Sequence, residues 1–261
     1  MENKVIENIV IIGSGNVATQ LSLALHKAGK NILQVYGRKD SMAKCLSSKL
    51  KVDYITDLRG LVKGADLYII AIIDDALLDI AECINLDEEL VIHTSGTVSM
   101  DVIKGYFSNY GVFYPLQTFS KDKNISFEDI PICVESNSES NQWKLMKLGE
   151  EISQNVKAVN SEQRKVLHVS AVFACNFTNY FYSVAEELML DHDLPFELLM
   201  PLIKETADKL NHHLPHEGQT GPARRNDQKI MARHLEMLSE YPEYKDIYKL
   251  ISERINRKHN E

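Results

Sequence analysis

From Asn8 to about Lys157, short runs of β-branched and aliphatic residues alternate with stretches whose apolar positions recur at helical spacing. NIVII (8–12), ILQVY (32–36), KVDY (51–54), DLYIIAI (66–72), ELVIH (89–93), GVFY (111–114) and IPICVE (130–135) are the expected strands. NIVII and DLYIIAI are almost continuously apolar, as strands covered by helices on both faces read. Strands in alternation with helices predict βαβ units around a mainly parallel sheet. After Ser161 the strand signal disappears and amphipathic helical spacing takes over, with few glycines. One long helix is expected over 161–190, opening at a Ser-x-x-Arg turn and closing at Asp191-His192-Asp193-Leu194-Pro195. A second follows Pro195 to about His212, the segment HHLPHEGQTGPARRND breaks the pattern, and helices resume from about Asp227. The pattern predicts an α/β chain: a doubly wound, mainly parallel domain over 1–158, then an all-α domain over 159–261.

The first predicted strand leads into chemistry. IVIIGSGNVATQLSLAL places Gly13-x-Gly15-x-x-Ala18 directly after it and at the start of a helix, the context in which this pattern marks a Rossmann dinucleotide site. Gly13 permits the tight turn, Gly15 lets backbone approach a pyrophosphate, and Ala18 lets helix and strand pack closely. The backbone of Gly13, Ser14, Gly15, Asn16 and Val17 is the expected phosphate cradle, aided by free N–H groups at the helix start. At the end of the second strand the chain reads Val35-Tyr36-Gly37-Arg38-Lys39, without the acid that usually binds a ribose 2′-hydroxyl. Arg38 and Lys39 can instead receive a 2′-phosphate, so NADP(H) is favoured over NAD(H); the plainer reading is two solvated charges. The missing acid also argues against S-adenosylmethionine. Ile72, Ile73 and Asp74, at the carboxyl edge of the fourth strand, should border the nicotinamide ribose, while Asp75 suits an N-cap.

Composition narrows the class of protein. At 261 residues, with 44% apolar and 25% charged positions, the chain is long enough for two ordinary globular cores. A net charge of -8 would repel a nucleic-acid backbone. No apolar run approaches the roughly 20 residues that span a bilayer, and the opening MENKVIEN lacks a signal-peptide core, so a cytoplasmic protein with no membrane partner is expected. Cys45, Cys83, Cys133 and Cys175 lie far apart, which suits reduced thiols.

The run IIGSGNVA, the strand and loop DLYIIAIIDDAL, HTSG (93–96), YPLQTFS (114–120), HVSAVFACNFTNYFYSVAEEL (168–188) and TGPARRND (220–227) carry a resemblance over nearly the whole chain. It is similar to Rossmann-like NAD(P)-dependent oxidoreductases with a C-terminal domain of unknown function. These are related to pyrroline-5-carboxylate reductase, β-hydroxyacid dehydrogenases and coenzyme F420-dependent NADP oxidoreductases. The resemblance implies a helical domain that forms a homodimer and supplies the far wall of an active-site cleft. One branch looks similar to an alternative ketopantoate reductase, which makes 2-ketopantoate a candidate substrate.

The same resemblance suggests roles. Ser95, in a Ser-Gly loop at the carboxyl edge of the fifth strand, corresponds to a substrate-binding position; a plain turn is the alternative. His93 reads as a proton donor or a structural ring. Gln117 and Thr118 can donate uncharged hydrogen bonds, and Tyr114 stands where the family usually has His. Asn176, Asn179 and Tyr180 share a helical face inside an apolar stretch, and buried amides need partners. If Asn176 matches the Asn of a Lys-x-x-x-Asn pair, Val172 occupies the position of the lysine acid, leaving His168 as the titratable substitute. Cys175, near this face, reads as a small apolar residue. Arg225, or its neighbour Arg224, can clamp a carboxylate, with Asp227 orienting it or capping the next helix. His212, His213, His216 and Glu217 are interrupted by Pro215, so no metal is expected. The leading expectation is hydride transfer from NADPH to a carbonyl or imine carbon of a small carboxylate-bearing molecule. The rivals are a dinucleotide-binding sensor without turnover and reduction of a deazaflavin.

Overall fold

The computed structural model describes residues 5–120 and 125–260, and the chain divides into two compact units, Met1–Val172 and Phe173–Glu261. The first holds an eight-stranded sheet in the order β3-β2-β1-β4-β5-β6-β7-β8. Its strands are β1 (Asn8–Ile12), β2 (Asn31–Tyr36), β3 (Asp53–Ile55), β4 (Leu67–Ile70), β5 (Leu90–His93), β6 (Asn109–Pro115), β7 (Ile132–Ser136) and β8 (Val156–Ala158). All neighbours are parallel except β6 and β7, which run antiparallel with Tyr114 opposite Cys133.

The continuous apolar runs have a geometric cause. Successive side chains of a strand point to opposite faces. Ile9 and Ile11 of β1 enter one core with Leu21 and Leu25 of α1 (Asn16–Lys27), Leu46 of α2 (Asp40–Leu50) and Leu145 of α4 (Glu139–Glu150). Val10 and Ile12 enter a second core with Leu77 and Ala81 of α3 (Leu77–Cys83). A Rossmann sheet covered on both faces is the result.

Helix α5 (Ser161–Ala171) closes the first unit, and it belongs to the segment read from sequence as the helical domain. Its cap is Asn160, one residue before the expected Ser161: the Asn160 side chain accepts from the Gln163 N–H, and Gln163 reaches back in a capping box.

The second unit contains α6 (Thr178–Leu190), α7 (Met200–Asp208), α8 (Gln228–Met237) and α9 (Pro242–Asn260). Two expected helices are not continuous. Val172–Phe177 is π-helical, with the Thr178 hydroxyl bonded to the carbonyl of Phe173 five residues back, so 161–190 is not one regular α-helix. The segment after Pro195 splits into 3-10 turns at Phe196–Leu199 and Lys209–Asn211 around α7, whose first turn holds Pro201. Among the described residues of this unit only Ala223 and Met231 are buried. No helix of the described residues is long and apolar enough to cross a membrane.

Candidate active site

The chain leaves β1 through Gly13, whose φ of 134° is a conformation L side chains rarely adopt. A Cβ there would stand 2.1 Å from the Ala71 carbonyl oxygen, so glycine is required by both torsion and space. The Gly13 N–H donates to the Tyr36 carbonyl at 2.8 Å, tying the turn to the end of β2. Gly15 is different: a Cβ there would meet nothing within 4 Å, because the position faces an open groove. Gly15 is also the N-cap of α1 and no side chain caps that end, leaving first-turn N–H groups for a ligand.

This groove, about 540 Å³ in volume, is lined by Gly13, Ser14, Gly15, Asn16 and Val17. Arg38 and Lys39 stand exposed along it, and Ile72 and Ile73 after β4 form part of the opposite wall. An open cradle at Gly15, uncapped amides and two cations fit a dinucleotide diphosphate. Asp74 follows directly, and its carboxylate accepts a hydrogen bond from the Thr97 hydroxyl of the loop after β5. Asp75 lies in a 3-10 turn and caps nothing, correcting the expected N-cap, because α3 begins only at Leu77 behind Ala76.

The loop after β5 is internally braced. Ser95 Oγ accepts from the backbone N–H of Thr97 at 3.1 Å and of Val98 at 3.0 Å and lies 3.4 Å from Thr97 Oγ1, whose own proton goes to Asp74, so the hydroxyl serves the turn. The His93 ring is fully buried, and its Nδ1 accepts from the Ser95 N–H at 3.2 Å, which places the ring proton on Nε2. Among the described residues Nε2 has no hydrogen-bond partner. Burial first, then the Arg164 charge, pulls the His93 pKa from 6.5 down to about 4, against the opposing pull of the Ser99 backbone, Asp74 and Glu135. His93 is therefore a neutral structural ring, not a proton donor.

Beside this loop the polar ends of Tyr114 and His168 meet, with Tyr114 Oη 3.1 Å from His168 Nδ1. Both side chains are half-buried. Gly96 makes the meeting possible, since a Cβ there would lie 2.6 Å from His168 Nδ1 and 3.0 Å from Tyr114 Oη. Burial, reinforced by Cys133 and Asp74 and opposed by Arg164, pushes the Tyr114 hydroxyl up to about 12.

Sequence reasoning missed the group that holds these pieces together. Arg164, only 1% exposed, donates from Nε to the Ser95 carbonyl at 3.1 Å and from Nη2 to the Val98 carbonyl at 2.6 Å. Its Nη1 pairs with Glu135 Oε2 at 2.5 Å, and Glu135 also accepts from the Ser161 N–H and hydroxyl. The one signal available was a charge, Arg164, at a helical position between the core-facing Ser161 and His168.

The remaining expected residues are placed as follows. Gln117 is exposed, and its Oε1 folds back to accept from the Thr118 N–H at 2.8 Å. Asn16 donates to the Phe119 carbonyl at 2.9 Å, joining the phosphate turn to the loop after β6. Asn176 lies in the π-helical stretch, and with Asn179 and Tyr180 it is exposed, not buried as expected. Arg225 is exposed in the second unit, and Asp227 caps α8 through the Ile230 N–H at 3.2 Å.

The family described as "NADP oxidoreductase coenzyme F420-dependent" matches residues 8–96, and the one described as "Domain of unknown function (DUF2520)" matches residues 130–255. Among solved structures, a Bacteroides fragilis protein provisionally named an NADP oxidoreductase is 41% identical, over 97% of this chain and 98% of that one, with a TM-score of 0.91. An imine reductase from Myxococcus stipitatus in complex with NADP+ is 15% identical, over 96% and 92%, with a TM-score of 0.67. A 1-pyrroline-5-carboxylate reductase from Streptococcus pyogenes is 13% identical, over 96% and 98%, with a TM-score of 0.65. The last two share the fold. No curated protein matches the chain.

Proposed function

The chain belongs to the NADP oxidoreductase family, as a Rossmann dinucleotide-binding domain joined to the DUF2520 domain, and from that premise we propose that it reduces a carbonyl or imine carbon of a small carboxylate-bearing molecule. A ketopantoate-like 2-keto acid is the leading candidate substrate. The observation that carries this reading is that, at the carboxyl edge of the sheet, the segment after β4 that lines the open groove continues into Asp74, which bonds Thr97 of the loop whose Gly96 seats Tyr114 and His168. When bound, a reduced nicotinamide supplies the hydride. Gly13, Ser14, Gly15, Asn16 and Val17 receive the diphosphate, and Ile72, Ile73 and Asp74 border the nicotinamide end. Arg38 and Lys39, neither in an ion pair with a described residue, take the 2′-phosphate and set the preference for NADP(H) over NAD(H).

His168 is the source of the proton. Ser95 and Gln117 contribute hydrogen bonds to the substrate, and Asn176 and Arg225 keep the substrate-binding roles that their chemistry suggests. A homodimer formed through the helical unit is part of the same proposal, supported by how little of that unit the chain buries.

The test is titration of NADPH and NADH fluorescence, followed by NADPH oxidation with 2-ketopantoate, 1-pyrroline-5-carboxylate and short 2-keto acids. NADPH should bind more tightly than NADH, and Arg38→Ala with Lys39→Ala should weaken NADPH about tenfold or more while leaving NADH unchanged. Absence of NADPH binding would end the reading; binding without turnover of any probe would favour a sensor.

A further inference from the structure

We propose that the Tyr114 hydroxyl hands the proton to the reduced substrate, and that His168 stands behind it and restores that proton. The inference rests on the oxidoreductase reading above. Tyr114 comes from the end of β6 and His168 from α5, yet His168 Nδ1 and Tyr114 Oη lie 3.1 Å apart, with ring centroids at 6.2 Å. The third side is closed by Gly96, where even a methyl group would fall 2.6 Å from Nδ1. Nδ1 is thus enclosed by the tyrosine oxygen and the Gly96 backbone. A proton leaving the ring through Nδ1 has Tyr114 Oη as its acceptor.

The hydroxyl is suited to the outer position. Its acidity is suppressed by burial, so it stays a neutral O–H donor at neutral pH, and it feels the field of Asp74. Asp74 follows Ile72 and Ile73 of the dinucleotide groove, and its carboxylate accepts from Thr97, the neighbour of the Gly96 on which the Tyr114–His168 pair closes. His168 is only half-buried.

The step balances. With hydride arriving at carbon from a reduced nicotinamide, the π pair of C=O or C=N moves onto the heteroatom. That atom takes the Tyr114 proton as the O–H bond breaks. The neutral His168 ring then gives its Nδ1 proton to the phenolate oxygen as its unprotonated Nε2 takes one from water, so the ring passes from one neutral tautomer to the other. One hydride and one proton are added in all. By this assignment Tyr114 is the catalytic residue, and His168 acts through it.

Full-length protein is assayed for NADPH oxidation with 2-ketopantoate and 1-pyrroline-5-carboxylate. Tyr114→Phe and His168→Ala should each lower kcat by about 10²-fold or more, and the double variant no further than the worse single one. Added imidazole should restore His168→Ala but not the double variant, since a small base can recharge a hydroxyl only where one exists. Rescue that persists in the Tyr114→Phe background, or a Tyr114→Phe variant with near wild-type kcat, overturns the relay and leaves the oxidoreductase reading standing. Wild-type protein that binds NADPH and consumes none with either probe overturns both. Fluorescence titration should show unchanged NADPH affinity in both variants. Without any substrate, the His168 ring resonances should move on Tyr114→Phe in NMR; unmoved resonances show that the pair does not form and remove the proposal.

Discussion

Full burial of the His93 ring beside the Arg164 guanidinium makes its charged form costly, and that cost becomes a dependence of stability on pH. In the unfolded chain the ring takes a proton near 6.5, whereas in the folded chain it does so only near 4. Between those values the unfolded state binds a proton that the folded state refuses, so stability falls as pH drops through the window and levels off below about 4. The loss amounts to about 3 kcal/mol across the whole window, at roughly 1.4 kcal/mol per pKa unit. Urea denaturation of wild type and His93→Asn at pH 7.5 and 5 is the check, conditions chosen to lie on either side of most of the change. The wild-type midpoint should fall more between the two conditions than that of the variant; equal falls would mean that His93 is not buried in its neutral form. The same ring, at the head of HTSG, looks like a proton donor in sequence. Whether such a residue is buried depends on neighbours that lie far from it in the chain.

At the scale of elements, α5 reaches the active-site loop through a single guanidinium. Arg164 bonds the carbonyls of Ser95 and Val98 and pairs with Glu135 of β7, whose carboxylate also holds the start of α5 at Ser161. His168 lies one helical turn beyond Arg164, so the loop and the imidazole are placed by the same anchor. Arg164→Met strips the donors from a nearly buried carboxylate and two carbonyls, and should cost about 3–5 kcal/mol in chemical denaturation, as loss of one member of a buried ion pair does. Adding Glu135→Leu should recover part of that loss, because no charge then remains unpaired; a double variant less stable than Arg164→Met would contradict the account. None of this was legible locally. The strand rhythm was, because two buried faces force apolar residues at every position of β4 and at every position of β1 after Asn8, and so was the glycine turn, because torsion and contact both demand it. By contrast β8 is a three-residue strand with Lys157 and Ala158 exposed, too short for a periodic signal. The π-helical stretch satisfies the same composition as an α-helix and leaves no mark in the spacing of VFACNF. Arg164 finds Glu135 across 29 residues and Ser95 across 69, and Tyr114 finds His168 across 54, separations at which residue spacing carries no information.

At the scale of the whole molecule, the two units bury their apolar residues very differently. The first fills two cores around the sheet. In the second, no residue of α6, α7 or α9 is buried, although α6 reads TNYFYSVAEELML and Leu190, Leu198, Leu202 and Met237 are each more than half exposed. Burial supplies the main favourable free energy of folding, and helices that leave this much apolar surface in water need a further surface to cover it. A second copy of the chain is the cover we propose, so folding of the helical unit and association become one equilibrium. The denaturation temperature should then rise with protein concentration, because mass action favours the associated state. Sedimentation should give a particle of twice 29.7 kDa. Phe181→Glu with Leu188→Glu, on α6, should lower the association and the melting temperature together. A particle of single-chain mass, with a melting temperature that does not depend on concentration, would show that the helical unit stands without a second copy, and that its exposed leucines and aromatics require another explanation.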